Sequence, residues 1–355
     1  MIRRTPPFTA RRIALIKPSA LGDVVQTLPV LAALRERFPN AKISWIVNKA
    51  YAPLLQPISL LDEVIPFDRA ATTSTVMGGI QYFWSFLKNL RARRFDFVLD
   101  LQGLLRSGAF SLATGAHRRW GLQSAREGSR YAYNFLIDDL SGSQSAVDRY
   151  WRAAEALGVG HLPKQFPLEI SDAERDAAIS VLSGLPRPWI AIQPGARWET
   201  KRWPAGSFAA ASQTAFDRFG GSAIILGGRE EEPVATETAH RLRAPVRILA
   251  GRTSLRILPA ILEQCDVLFT NDTGPMHLAA VVETPTVSVF TCTSPHRAGP
   301  FGDAHRIVQT TVACRESYIR TCPRMICMAD LTPEKVAPSL VASLEESLKC
   351  GRRSA

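Results

Sequence analysis

Two α/β units in tandem, each a parallel sheet covered on both faces by helices, are what the sequence predicts. Three observations lead there. Short β-branched runs alternate with longer helical patterns, the alternation restarts beyond residue 165, and 355 residues at 46% hydrophobic content exceed what one core ordinarily serves.

The alternation holds in order along the chain. RRIALIK (11–17) precedes VVQTLPVLAALRERF (24–38), KISWIVN (42–48) precedes a helix-like stretch, and FDFVLDLQ (95–102) precedes LLRSGAFSLAT (104–114). After the Pro-rich PKQFPLEI (163–170) and the helical SDAERDAAISVLSGL (171–185), the rhythm resumes. PWIAIQPG pairs with SFAAASQTAFDRFG, SAIILGG with EEPVATETAHRLR, VRILAG with SLRILPAILEQ, and DVLFTND with GPMHLAAVV, ending at TVSVF. The boundary is expected within 165–185, dividing 1–170 from 171–355. The last helical segment, TPEKVAPSLVASLEESLK (332–349), is free to pack on either unit, including back on the first. The patch ATTSTVMGG (71–79) reads as a mobile loop.

Composition narrows the function classes. No stretch reaches the roughly 20 apolar residues of a membrane span, and the arginine-rich start has only IALI before Lys17, too little for a signal peptide. A cytoplasmic protein is expected. Six cysteines, Cys265, Cys292, Cys314, Cys322, Cys327 and Cys350, lie in the second half without a CxxC pair and read as reduced thiols. The spacings of Cys314, Cys322 and Cys327 fit no paired-ligand zinc pattern, and no metal or cofactor is expected. Residues 1–165 hold 22 Lys/Arg against 12 Asp/Glu, a charge of +10, whereas the remainder holds 21 against 20. A basic first half suits nucleic acid, an anionic membrane or a phosphorylated substrate.

Ligands of open parallel sheets sit beyond the carboxyl ends of strands, which singles out four loops. KPSALGD places Asp23 after Gly22 at the mouth of a helix, either as a reactive carboxylate or as a cap complementing the helix dipole. QPGARWETKRWP brings Lys201 and Arg202 to the rim, where a phosphate would be neutralised, with Trp198 and Trp203 as core plugs or ligand walls. LGGREEEP offers Glu230 to Glu232 to the vicinal hydroxyls of a ribose, or to solvent. FTNDTGPMHLAAV sets Asp272, Thr273 and Gly274 between a buried strand and a helix start, where backbone N–H groups receive a pyrophosphate or sugar. His277 faces either that ligand or the interior. No GxGxxG follows a strand, and no GxxxxGK[ST] occurs, so dinucleotide and P-loop readings fail.

LIKPSALGDVVQTLPVLAALRERFP, WIVNKAYAPLL, DLQGLLRSG, PGA…TKRWP, FTNDTGPMHLAAV and CPRMICMADLTPEKV together resemble the lipopolysaccharide core heptosyltransferases, glycosyltransferase family 9, over nearly the whole chain. DLQGLLRSG followed by QSAREGSRYAYN is similar to the heptosyltransferase I branch, which adds the first heptose to the Kdo region of lipid A. The resemblance implies a GT-B fold: an acceptor-binding first domain and a nucleotide-sugar-binding second, both Rossmann-like, with their sheets facing across a cleft. It also implies an inverting, metal-independent transfer from ADP-L-glycero-β-D-manno-heptose.

By that resemblance Asp23 is the base that deprotonates the acceptor hydroxyl, and Lys201 steadies the departing ADP. Thr200 is a secondary donor contact, since GARWET departs from the threonine-bearing form of some relatives. Asp272, Thr273, Gly274 and His277 form the donor loop, and Glu232, with Glu230 beside it, is expected at the ribose. The acceptor is then an anionic glycolipid, Kdo-lipid A, at the cytoplasmic face of a Gram-negative inner membrane, where the protein sits peripherally and no nucleic acid is bound. Lys17, Ser19, Arg106, Arg126 and Arg130 are its expected contacts: Arg126 matches a family position, the others rest on charge and location. The alternatives are transfer to a heptose acceptor in the manner of heptosyltransferases II and III, a nucleotide-sugar epimerase or hydrolase of the same plan, and, more remotely, a non-catalytic nucleic-acid binder.

Overall fold

The computed structural model describes residues 7–73, 75–140 and 145–351, and the chain divides into two compact units between Glu169 and Ile170. The first unit is built on six parallel strands, β1 (Arg12–Ile16), β2 (Lys42–Asn48), β3 (Glu63–Phe67), β4 (Phe97–Asp100), β5 (Arg118–Leu122) and β6 (Phe135–Ile137). They lie in the order β3-β2-β1-β4-β5-β6. The second unit repeats the plan with β7 (Trp189–Gln193), β8 (Ser222–Ile225), β9 (Val246–Ile248), β10 (Val267–Asn271), β11 (Thr286–Phe290) and β12 (Arg306–Gln309), ordered β12-β11-β10-β7-β8-β9. Both orders are the doubly wound one, reversing between β1 and β4 and between β7 and β10.

The central strands are continuous apolar runs because both their faces are covered. Ile13–Ile16 and Ile190–Ile192 are wholly buried. In the first unit Phe67, Phe86 and Phe110 pack with ring centroids 5.0 Å apart. In the second, Phe208 lies 5.1 Å from Trp203 and 4.7 Å from Phe269. The C-terminal helix Pro333–Lys349 packs in the second unit, where Val336, Leu340 and Leu344 join the core formed by Phe208, Ala211 and Ala215 of the Ala205–Phe219 helix.

Some elements depart from the pattern. The stretch 24–38 is not one helix: Leu21–Gln26 ends at Thr27 and Leu28–Arg37 begins afresh with Pro29 in its first turn, since proline lacks the N–H a continuing helix needs. Most of the patch 71–79 is ordered structure, a 3-10 turn over Ala70–Thr72 and then the start of the Val76–Ala92 helix; Ser74 lies outside the described residues. Thr75 caps this helix by accepting the Gly78 N–H at 3.1 Å. Gly79 is required there, because a Cβ would stand 2.5 Å from the Thr72 carbonyl oxygen. Strands β3, β5, β6 and β12 escape the sequence pattern: β3 contains Pro66, β5 reads RRWGL, and β6 and β12 are short edges.

Removing a fully buried leucine forfeits its transfer free energy and leaves a cavity. Leu340→Ala is therefore expected to lower stability by about 2–5 kcal/mol in urea unfolding of the full chain. Lys349→Ala, on the exposed side of the same helix, should change it by at most about 0.5 kcal/mol.

Candidate active site

The two reversals of strand order place four loops at crevices, and those loops hold several of the candidate side chains. In the first unit, Lys17–Asp23 leaves β1 and Leu101–Arg106 leaves β4. Asp23 occupies the third position of the Leu21–Gln26 helix, and its two carboxylate oxygens have separate environments. Oδ2 accepts the Ala20 N–H at 3.0 Å, which is the capping role open to an acid at a helix start. Oδ1 accepts the Tyr150 hydroxyl and lies 3.5 Å from the Lys17 ammonium. The side chain still keeps 35% of its surface exposed.

Lys17, expected at an acceptor, is instead enclosed. It is 2% exposed, and its ammonium donates to the Leu101 carbonyl at 3.1 Å and to the Tyr150 oxygen at 2.7 Å while pairing with Asp23. Its charge is thereby met within the unit by two hydrogen bonds and one ion pair. Tyr150 and Arg149 come from the Ala146–Ala156 helix. The Tyr150 oxygen also accepts from Arg149 Nη2 at 3.0 Å, so two cations converge on a phenol whose hydroxyl donates a hydrogen bond to Asp23. Burial pushes the Asp23 carboxyl upward, but Lys17, the Tyr150 and Ala20 donors and Arg149 outweigh it and hold it below the usual carboxylate range. Burial and the neighbouring Asp23 charge raise Tyr150, which keeps its hydroxyl a donor.

The remaining expected acceptor residues line the same rim. Ser19 is half-buried, its N–H donating to Gln102 Oε1 at 3.2 Å. Arg106, Arg126 and Arg130 are exposed. The loops that bear them are tied together, Arg126 N–H to the Gly103 carbonyl at 2.8 Å and Leu105 N–H to Glu127 Oε2 at 3.1 Å. The Arg106 guanidinium lies over the Phe67 ring at 5.6 Å. Beneath them, buried Asp100 accepts from Gln102 N–H, Gly103 N–H and Tyr133, and sets the turn after β4.

In the second unit the buried Asn271 at the end of β10 draws the loops together. Its Nδ2 donates to the Pro194 carbonyl at 2.8 Å and its Oδ1 accepts the Trp203 N–H at 3.1 Å. Lys201 thereby reaches Asp272, Nζ to Oδ2 at 2.5 Å, and Thr293 donates to the same oxygen at 2.6 Å. The ammonium also lies 4.7 Å from the centre of the Trp198 ring. Thr273 precedes the eight-residue helix Gly274–Val281, whose N-terminal dipole faces this loop, and His277 is buried one turn in. Trp203 proves a core plug, fully buried with Nε1 donating to the Leu331 carbonyl at 2.8 Å.

Two expected donor contacts are placed otherwise. The Thr200 hydroxyl is buried and donates to the Ile319 carbonyl at 2.6 Å, which anchors the segment after β12 instead of facing a ligand. Among the three acids, Glu230 and Glu232 are exposed, with Glu232 lying against Gly251. Glu231 turns inward because it closes the turn that begins at Gly228. Its Oε2 accepts from Gly228 N–H and Gln193 Nε2, each at 2.9 Å, and its Oε1 overhangs Gly195.

The family model of glycosyltransferase family 9 (heptosyltransferase) matches residues 83–326. The chain belongs to this family. The lipopolysaccharide core heptosyltransferase OpsX of Haemophilus influenzae is 28% identical over 310 residues, covering 85% of this chain and 86% of the relative. The lipopolysaccharide heptosyltransferase 1 of Pseudomonas aeruginosa is 26% identical over 362 residues, 94% and 98% of the two chains. The structure of Escherichia coli ADP-heptose lipopolysaccharide heptosyltransferase II superposes with a TM-score of 0.78 at 25% identity, covering 95% of this chain and 99% of that one. The fold is accordingly that of the GT-B glycosyltransferases.

In this heptosyltransferase, Asp23, Lys201 and the Asp272 loop, which the sequence singles out, all follow strands. Tyr150, Arg149 and Thr293, which contact this cluster or Asp272, come from a helix and a loop distant in the chain and were not singled out by the sequence.

Tyr150 is one of the groups that keep Asp23 ionised at low pH. Tyr150→Phe removes a donor to the charged form, so the Asp23 pKa rises, and the acid limb of the kcat/KM profile of this heptosyltransferase should move to higher pH. Conversion of Phe67→Leu, which touches no part of this cluster, should leave the limb in place.

Proposed function

We propose that this chain transfers L-glycero-D-manno-heptose from ADP-heptose to the Kdo region of lipid A in the lipopolysaccharide inner core, by an inverting, metal-independent single displacement. The observation that carries the reading is a partly exposed Asp23 in the helix that follows β1, its carboxyl held below the usual range by Lys17 and Tyr150, in a member of this family. In a single displacement the acceptor hydroxyl loses its proton as it attacks the anomeric carbon, while the bond to the ADP phosphate breaks. Asp23 receives that proton. Its depressed pKa makes it a modest base but guarantees the charged form at neutral pH.

The charge that develops on the leaving diphosphate is met by Lys201 and by the N-terminus of the Gly274–Val281 helix, which together supply the compensation a metal ion would otherwise provide. Asp272 holds the Lys201 ammonium in place before the donor arrives. Glu231, rather than Glu230 or Glu232, is the carboxylate we assign to the ribose hydroxyls. Ser19, Arg106, Arg126 and Arg130 are assigned to the anionic acceptor, with Lys17 moved from direct contact to supporting Asp23. The work is placed at the cytoplasmic face of the inner membrane; among the described residues no helix is long and apolar enough to cross a membrane.

ADP release from ADP-heptose in EDTA, with and without Kdo-lipid A, tests this. Acceptor-dependent release is expected, falling about 10²–10⁴-fold in Asp23→Asn and about 10²–10³-fold in Lys201→Ala. Release without acceptor would support an epimerase or hydrolase instead. A second acceptor reading has its own support, since the heptosyltransferase II structure superposes at 0.78 and a heptosyltransferase WaaC structure at 0.71. Release with heptosylated Kdo-lipid A but not with Kdo-lipid A would decide for it.

A further inference from the structure

The Val76–Ala92 helix has its inner face fully engaged: Gly79, Phe86 and Leu90 are buried, and Phe86 packs on Phe67 and Phe110. A helix settled in this way ordinarily turns polar side chains to water. This one does not. Val76 is 84% exposed, Met77 77%, Ile80 51% and Trp84 60%. At 3.6 residues per turn, Met77, Ile80 and Trp84 form one stripe opposite Phe86 and Leu90, and Lys88 extends that stripe by a further turn.

The charged side chains carried by the helix itself are all basic, although Arg93 just beyond it pairs with Glu63. Residues 69–95 contain Arg69, Lys88, Arg91, Arg93 and Arg94 and no Asp or Glu, within the half of the chain that holds the charge excess. A second copy of the same face would bring cations against cations. An anionic bilayer satisfies both features, because its head-group phosphates meet the basic residues while Trp, Met and Ile enter the boundary with the acyl chains.

We propose that the outer face of the Val76–Ala92 helix docks on an anionic lipid bilayer, with Met77, Ile80 and Trp84 inserted at the interface and Lys88 at the head groups. This deepens the functional reading, on which it rests for a membrane-resident acceptor, by naming the surface that brings the enzyme to it.

The test is cosedimentation of the full chain with vesicles of phosphatidylethanolamine and phosphatidylglycerol, against vesicles of phosphatidylcholine alone. Wild type is expected to bind the anionic vesicles preferentially. The Met77→Ser/Ile80→Ser/Trp84→Ser variant should bind them at least about tenfold more weakly, and Lys88→Gln about fivefold more weakly at low salt. Trp84→Phe, which keeps an aromatic anchor, should retain most of the binding. Transfer to a delipidated, water-soluble acceptor should stay at the wild-type rate in every variant, whereas transfer to acceptor embedded in vesicles should fall with binding. Unchanged sedimentation of the triple variant would overturn the proposal. So would a wild-type dimer in size exclusion that the triple variant dissolves, since the face would then join two copies. If wild type transfers heptose to neither acceptor, the functional reading fails while the vesicle result still decides the docking.

Discussion

Connections that leave two neighbouring strands toward opposite faces of a sheet separate as they go, and the gap between them is the feature on which both units depend. It arises at β1 and β4 in the first unit and at β7 and β10 in the second. The strands bordering each gap are almost wholly buried, so their positions are set by the core rather than by solvent. Residues at their carboxyl ends inherit that rigidity. Asp23, Lys201 and Asp272 follow such buried strands at the sheet ends where ligands of this fold bind.

Each gap is also an electrostatic arrangement in which a carboxylate is held by a cation. In the first unit the balance runs through Tyr150, whose hydroxyl accepts from Lys17 and Arg149 and donates to Asp23. Enclosing Lys17 costs desolvation, and the carboxylate and phenol more than offset it, leaving its pKa above the ordinary value. In the second unit Lys201 and Thr293 meet on one oxygen of Asp272. The two pairs differ in reach: Lys17 is sealed in beside its carboxylate, whereas Lys201 is partly exposed near the start of a helix.

The chain also shows how a local motif changes meaning once folded. Thr200 sits beside Lys201 in sequence, yet the 3-10 turn over Glu199–Lys201 sends the two side chains apart, one to the Ile319 carbonyl and the other to Asp272. Glu230, Glu231 and Glu232 are equivalent as a string of acids. The turn beginning at Gly228 makes them unequal, since only the middle one folds back to cap it and reach Gln193. Trp203 resolves likewise: Asn271 holds its backbone N–H, and its indole closes the core against Leu331.

What the sequence determined by itself was therefore the alternation of strand and helix, the doubling of the unit and the strand-end loops that carry the candidate site residues. These follow from periodicity and from local chemistry, which a linear string records. Edge strands β6 and β12 escaped because neither stands in the strand-then-helix rhythm that exposed the similarly short edge β9 as VRILAG. The tertiary structure alone decided which side chains meet, bringing Tyr150 to Asp23 across 127 positions and Thr293 to Asp272 across 21. It also decided which acid turns inward and which lysine is sealed. Such outcomes depend on packing direction and burial at distant sites, and no spacing along the chain encodes either one.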